Sequence, residues 1–141
     1  GMSEMKHIIQ AVEIFRKNGK KIELSRQEYY YHSGNMKAEG NYSNGEQEGR
    51  WTRYYENSQI KEQGNYKSGR KVNRWISYYE DGTKKSEGSY NNGKWNSQWI
   101  SYYENGTKKS EGSYKNGELV KLNDSSSDNI WQYGEKFICK K

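Results

Sequence analysis

Three glutamates recur at a fixed interval in this 141-residue sequence, and paired carboxylates are the groups that hydrolyse glycosidic bonds. Glu56, Glu80 and Glu104 lie 24 residues apart, and each follows a Tyr-Tyr pair and precedes a lysine-containing segment. A salt-bridged rim of a β-sheet explains this pattern better than a catalytic acid–base pair does. We therefore expect no glycosidase chemistry from these carboxylates.

The other reactive side chains are too few to build a site. His7 and His32 are far apart in the sequence, so we expect each to lie on the surface rather than in a metal site or a catalytic triad. Cys139 is the single cysteine, which excludes an internal disulfide and a multi-cysteine metal site. No glycine-rich run precedes a helix as a phosphate-binding loop would. The sequence therefore predicts a protein that is not an enzyme and that needs no metal or cofactor.

A 24-residue repeat organises the chain. Trp51, Trp75 and Trp99 are in phase with one another. The same interval relates four tyrosines (Tyr31, Tyr55, Tyr79 and Tyr103) and four glycines (Gly40, Gly64, Gly88 and Gly112). Four copies cover residues 27–50, 51–74, 75–98 and 99–122, and Gln27 replaces tryptophan in the first. A degenerate half copy, "EIFRKNGK", precedes them at 13–20. A period of this length indicates stacked supersecondary units.

Each copy is typical of a β-hairpin. The run "RWISYYE" is rich in strand-forming residues, and Asp81-Gly82 follows it as a turn signal. "KKSEGSY" supplies the return strand, and "NNGK" marks a further turn. The fold class we predict is all-β: antiparallel hairpin repeats that form one elongated, meandering sheet, with a solenoid-like arrangement.

Both ends require caps, because terminal copies lack a neighbour on one side. Residues 1–26 are assigned to an N-terminal cap and half repeat. Within them the apolar residues fall near helical spacing, which predicts a short capping helix (Met5, Ile8, Ile9, Val12 and Phe15). Residues 123–141 are assigned to a polar linker followed by capping strands.

Alternation along the strands separates two faces. Pairing across a two-residue Asp81-Gly82 turn sets Tyr79 opposite Lys84 and Trp75 opposite Gly88, whereas a four-residue loop would change the partners but keep the same residues on each face. A glycine opposite Trp75 lets a large ring lie flat over bare backbone. We name the side that carries Trp51, Trp75 and Trp99 the tryptophan face and assign it to the core, together with Tyr79, Ile60 and Met36. The opposite side carries one tyrosine per copy, and we name it the tyrosine face (Tyr30, Tyr54, Tyr78 and Tyr102).

With these motifs in view, the segments "GRWTRYYENSQIKEQGNYKSGRK" and "WISYYENGTKKSEGSYKNGE" resemble MORN-type repeats. The form is the bacterial variant found in proteins labelled YwqK-type antitoxins, and the resemblance covers about residues 13–122. It implies a scaffolding, protein-binding or membrane-associated module. The glycine of the family motif two residues before each tryptophan is present as Gly49 but replaced by Asn73 and Ser97.

Two features could bind a partner. The tyrosine face could grip an extended peptide or stack on sugar rings or bases, although cross-strand packing that stiffens an exposed sheet is the favoured explanation. The second copy is locally basic, and its cations could dock on anionic lipid (Arg53, Lys61, Lys67, Arg70, Lys71 and Arg74). Nucleic acid is disfavoured, because the other copies interleave Lys and Glu, although the chain carries a net charge of +6.

The partner we expect first is another protein. Anionic lipid is the alternative, carbohydrate the third possibility, and self-association through sheet edges also stays open. No compartment is encoded in these patterns. The cytoplasm is slightly favoured, and export by means of a leader upstream of Gly1 is the open alternative.

Overall fold

Ten antiparallel strands form one open sheet in the computed structural model, which describes residues 6–123, 130–131 and 139–140. The order of strands in the sheet is their order in the chain, so each strand pairs with the next. The strands are β1 (Lys6–Lys17), β2 (Lys20–Tyr30), β3 (Met36–Ser43), β4 (Glu46–Tyr54), β5 (Ile60–Lys67), β6 (Arg70–Tyr78), β7 (Lys84–Asn91), β8 (Lys94–Tyr102), β9 (Lys108–Lys115) and β10 (Glu118–Asn123). A separate two-stranded pair is made by β11 (Ile130–Trp131) and β12 (Cys139–Lys140). The all-β meander is confirmed.

The N-terminal capping helix is wrong, because its apolar residues from Ile8 onward lie in strand β1; Met5 is outside the described residues. A β-bulge between Ile9 and Val12 explains the misleading spacing. These two residues pair with Gln27 and Ser25, so β1 advances three residues while β2 advances two. Because of the bulge, apolar residues of a strand are spaced three apart, as they would be on one face of a helix. The half copy at 13–20 does form a hairpin, which closes at Asn18-Gly19.

The tight turns lie at the second turn position of each copy. In Asn92-Gly93 both residues have positive φ, 52° and 86°, and the flanking Asn91 and Lys94 pair directly. This is the geometry of a two-residue type I′ turn, which asparagine and glycine adopt at low cost.

Of the two loop lengths expected at Asp81-Gly82, the two-residue turn is wrong, because Tyr78 pairs with Lys84 and residues 79–83 form the loop. The chain makes a wider loop here, in which Tyr79 N–H donates to the Thr83 carbonyl (2.8 Å) and Gly82 N–H donates to the Tyr79 carbonyl (2.9 Å). Asp81 instead accepts hydrogen bonds from the backbone and hydroxyl of Thr83. The register shifts only beside the loop, where Lys84 lies opposite Tyr78 and not opposite Tyr79, and from Ser77 onward the strands pair as expected.

The buried apolar side chains of the described residues are Trp51, Trp75, Trp99 and Leu119, which confirms the tryptophan row. Trp75 pairs with Gly88 as expected, but the ring that covers Gly88 is that of Trp99 from the next copy. The Trp99 indole Nε1–H donates to the Ser89 carbonyl at 2.8 Å. Trp51 and Trp75 repeat both contacts on their own preceding strands. Glycine and tryptophan therefore join adjacent copies rather than the two strands of one hairpin.

Tyrosines fill the spaces between the indoles. Tyr66 and Tyr90 approach the rings of Trp75 and Trp99 edge-on at centroid distances of 5.2 and 5.1 Å, a favoured aromatic geometry. Trp95, which lies outside the 24-residue pattern, stacks on Trp99 at 4.5 Å. The rings form a continuous row on a sheet that is one layer thick across the described strands.

Two apolar residues lie on the side opposite to the one expected. Register shifts place Met36 opposite Tyr30 and Ile60 opposite Tyr54. Because directly paired residues share a face of the sheet, both belong to the tyrosine face. Their assignment to the tryptophan face is wrong.

Candidate binding face

Each tyrosine of the tyrosine face is the last residue of an even-numbered strand: Tyr30 of β2, Tyr54 of β4, Tyr78 of β6 and Tyr102 of β8. The side chains are half-buried, and a register shift precedes each of them in the pairing with the following strand. The repeat therefore fixes one tyrosine per hairpin at the same height in the sheet. The structure brings these four predicted residues into one row.

Carboxylates on the preceding odd-numbered strands hold two of the hydroxyls. Tyr54 O–H donates to Glu39 Oε2, and Tyr102 O–H donates to Glu87 Oε2. Tyr30 O–H donates to Glu28 in its own strand at 2.7 Å. Tyrosine and glutamate thus anchor one another across adjacent strands.

Arginines complete these contacts from the other side. Arg26 pairs with Glu39, and Arg74 pairs with Glu87. Lys84 Nζ adds a second cation at 3.2 Å from Glu87 Oε1. Hydrogen bonds between charged groups of this kind are shorter and stronger than neutral ones.

The titration of these groups reflects their contacts. Burial, and then the hydrogen bond to Glu39, raise the pKa of Tyr54 to about 12. For Tyr102 the hydrogen bond to Glu87 acts first and burial second, and its pKa also rises to about 12. Burial opposes ionisation of Glu87, but the hydrogen bonds from Tyr102 and Lys84 outweigh it, so the pKa of Glu87 lies below its usual value. At neutral pH the carboxylate is charged and the phenols are neutral donors.

The second tyrosine of each pair connects copies. Tyr31, Tyr55 and Tyr79 each donate from the hydroxyl to the backbone carbonyl of Tyr54, Tyr78 and Tyr102, at 2.6, 2.7 and 2.7 Å. Tyr103 is 50% exposed, and its hydroxyl has no partner within the part of the chain that the structure describes. Tyr31, Tyr55 and Tyr79 therefore join the loop of one hairpin to the strands of the next hairpin.

The six cations of the second copy do not form one cluster. Arg53 and Lys71 both pair with Glu62 on the tryptophan face, while Arg74 pairs with Glu87 on the tyrosine face. Lys61 lies over the ring of Tyr55, with its Nζ 5.6 Å from the ring centroid. Lys67 and Arg70 flank the Ser68-Gly69 turn.

The recurring glutamates lie at exposed loop positions. Glu56, Glu80 and Glu104 form no ion pair with any described residue, so the salt-bridged rim is wrong for these three. The carbonyls of Glu56 and Glu80 accept hydrogen bonds from Asn35 and Asn57.

His7 stacks on Tyr29 with ring centroids 4.1 Å apart and bonds to Gln27. The side chain of Cys139 lies outside the description. The described residues hold no group of three or more His, Cys, Asp or Glu side chains placed to bind a metal, and no helix of membrane-spanning length and apolarity.

The site residues that sequence reasoning missed are the paired partners of the tyrosines, namely Arg26 and Glu39. A signal was present: an arginine precedes a glutamate by 13 residues at two equivalent places in the repeat, as 26 with 39 and 74 with 87. It became meaningful only when the strand register placed the two in contact.

A single open sheet of repeated antiparallel hairpins defines a β-hairpin repeat protein. Four consecutive segments of the chain match the sequence model of the MORN repeat variant: residues 26–44, 47–68, 71–92 and 96–116. The chain therefore belongs to this MORN repeat family. A search of curated proteins returns no match.

Proposed function

We propose that the chain binds another protein through the tyrosine face and acts as a scaffold or as an antitoxin-like binder. The observation that carries the proposal is that this face is ordered and chemically varied, yet no second layer of the described residues covers it. Aromatic rings and arginines are the residue types that dominate protein interfaces. The tyrosine face carries one such tyrosine per hairpin, and Arg26, Arg50 and Arg74 lie on the same face.

The test is affinity capture from a lysate of cells that naturally express the chain. Wild-type protein is compared with the double variant Tyr54→Ala/Tyr78→Ala, and captured proteins are quantified. We expect at least one protein to be lost with the double variant. The control Tyr103→Ala removes an exposed tyrosine that lies outside the tyrosine face and should lose nothing.

Two results would oppose the proposal. If both variants capture the same proteins as the wild type, the tyrosine face is not the binding surface. If the double variant unfolds in circular dichroism, the face is a structural element and the site has been misplaced.

A second candidate, association with anionic lipid, is favoured by a row of cations at the type I′ turns. Lys67, Arg70, Lys94 and Lys115 have no ion-pair partner among the described residues; we name them the basic turn edge. The turns stack on one another, since Gly93 N–H donates to the Lys71 carbonyl and Gly117 N–H donates to the Trp95 carbonyl, both at 2.8 Å. Two of these cations, Lys67 and Arg70, belong to the basic patch expected from the sequence.

The lipid proposal is tested by co-sedimentation with vesicles that contain phosphatidylserine. Arg70→Glu/Lys94→Glu should abolish binding, and added salt should weaken the binding of the wild type. Arg50→Glu, which changes an exposed arginine on the tyrosine face, is the control and should retain most of the binding. Wild-type chain that stays in the supernatant at low salt rules out this candidate.

A further inference from the structure

The row of glutamates on the tyrosine face has one interruption. The position occupied by Glu39 in the first copy is glutamate again in the third and fourth copies, as Glu87 and Glu111, but it is Gln63 in the second. The strand register puts these residues at equivalent places, because Glu39 pairs with Thr52, Gln63 with Ile76 and Glu87 with Ile100. Only the second copy therefore lacks a carboxylate at this point.

The two groups that surround the carboxylate in other copies are both present around Gln63. Arg50 corresponds to Arg26 and Arg74, which bind Glu39 and Glu87. Tyr78 corresponds to Tyr54 and Tyr102, whose hydroxyls donate to the same two carboxylates. Both donors are therefore present around Gln63, while the carboxylate acceptor is missing.

Neither donor is satisfied by another described residue. The guanidinium of Arg50 is exposed, and among the residues that the structure describes it forms no hydrogen bond or ion pair, nor does the hydroxyl of Tyr78 have a partner there. Gln63 uses its side-chain amide on Thr52 Oγ1, at 3.4 Å. Glu48, the nearest carboxylate along β4, accepts the backbone N–H of Ser68 at 2.9 Å instead of binding Arg50.

We infer that the place beside Gln63 receives the carboxylate of a glutamate or aspartate side chain from a partner protein. The arginine would bind the carboxylate as Arg26 and Arg74 bind Glu39 and Glu87, and the phenol would add a hydrogen bond. This inference rests on the proposed function and names the chemistry of the partner at one point. The charges around Gln63 favour a single acidic side chain over an anionic surface. The flanking carboxylates Glu39 and Glu87 lie on the same face and would repel a continuous anionic surface, whereas one side chain fits between them.

The experiment uses two short blocked peptides that are identical except for one residue, glutamate in the probe and glutamine in the control peptide. Each is titrated into isotope-labelled chain while the Nε–Hε resonance of Arg50 and the amide of Gln63 are followed by NMR. We expect saturable shifts with the glutamate peptide and none with the glutamine peptide. Wild-type chain that shows no saturable shift contradicts the inference.

Two variants locate the binding. Gln63→Glu supplies the missing carboxylate within the chain, where its effective concentration exceeds that of any added peptide, so peptide binding should disappear while the protein stays folded. Arg50→Gln should weaken binding by about tenfold or more, the usual effect of losing a hydrogen bond to a charged group. Arg70→Gln removes an equal charge from another arginine that has no ion-pair partner in the described ranges, and this variant should bind the peptide like the wild type.

The remaining outcomes separate this inference from the proposed function. Unchanged peptide binding by Gln63→Glu overturns the inference, and so does a larger shift of Arg50 with phosphatidylserine vesicles than with the peptide. If Tyr54→Ala/Tyr78→Ala loses a captured protein that Gln63→Glu retains, the face binds protein but not through this carboxylate. If the double variant loses nothing, the proposed function itself fails.

Discussion

The indole of Trp99 lies flat over the backbone of Gly88 on the preceding strand, where an added Cβ would overlap the indole atoms Cγ, Cδ2 and Cε2. The indole nitrogen also donates to the carbonyl of the next residue, Ser89, so the ring is held in place and cannot move aside. A β-bulge makes this contact, because Gly88 faces the segment between Asn96 and Ile100 rather than a single residue. The 24-residue period therefore encodes the interface between copies.

Gly88→Ala should destabilise the protein by about 1–3 kcal/mol, the usual range for overpacking a well-filled site. Urea unfolding followed by tryptophan fluorescence measures the change. Gly112→Ala is the matched comparison: its added Cβ meets the mobile Cδ1 of Leu119 at 2.9 Å and the Lys121 carbonyl at 3.1 Å, so its cost should be smaller. Equal costs for the two substitutions would show that the rigid indole is not the cause.

A second prediction concerns the residue two positions before each tryptophan. Gly49, Asn73 and Ser97 all adopt left-handed backbone, with φ of 74°, 60° and 70°. The copies thus share one bulge geometry despite the sequence differences, and serine is the residue that suits it least. Ser97→Gly should stabilise the protein by about 0.5–1 kcal/mol, because relief of left-handed strain exceeds the added entropy of the unfolded chain. Ser89→Gly, at an ordinary strand position, should destabilise it in the same thermal melts; a loss of stability with Ser97→Gly would contradict the argument.

The sequence predicts the hairpin repeat and the pairing of Trp75 with Gly88, because both follow from a fixed period and from alternation along a strand. It does not reveal which indole covers which glycine. That contact depends on the bulge opposite Gly88, and a bulge is a property of two paired strands. The same reason explains the error in β1, where the bulge between Ile9 and Val12 imitates helical spacing.

The candidate site divides in a similar way. Tyr54 and Tyr78 follow from alternation alone, and the structure places them in one row. Arg26 and Glu39 lie on different strands, so their pairing appears only when the register is known. The role of Gln63 cannot be recognised from the sequence alone. The missing carboxylate becomes evident only by comparison with the equivalent positions where arginine, glutamate and tyrosine are in contact.

Alkaline pH should destabilise the folded chain through Tyr54 and Tyr102. Each has a pKa near 12 in the folded protein, raised from an ordinary value of 10. The unfolded chain therefore ionises first, and the stability that these tyrosines contribute is complete below pH 10 and falls as the pH rises from 10 towards 12. Urea midpoints measured across this range should decline, and Tyr54→Phe/Tyr102→Phe should reduce the decline. A tyrosinate absorbance titration of the folded protein in which every tyrosine ionises near pH 10 would contradict this prediction.

The hydrogen bond from Tyr79 O–H to the Tyr102 carbonyl gives the last prediction, because the chain contains its own control. Tyr79→Phe keeps the ring, over which Lys85 lies, and deletes only the hydroxyl, so it should cost about 0.5–1.5 kcal/mol, the usual net value of one hydrogen bond. Tyr103→Phe makes the same change one copy later, where the hydroxyl has no described acceptor, and it should leave stability unchanged. Urea unfolding of the two variants beside the wild type measures both values. A cost for Tyr103→Phe as large as that for Tyr79→Phe would mean that the loss reflects the hydroxyl's exposure to solvent rather than a bond between copies.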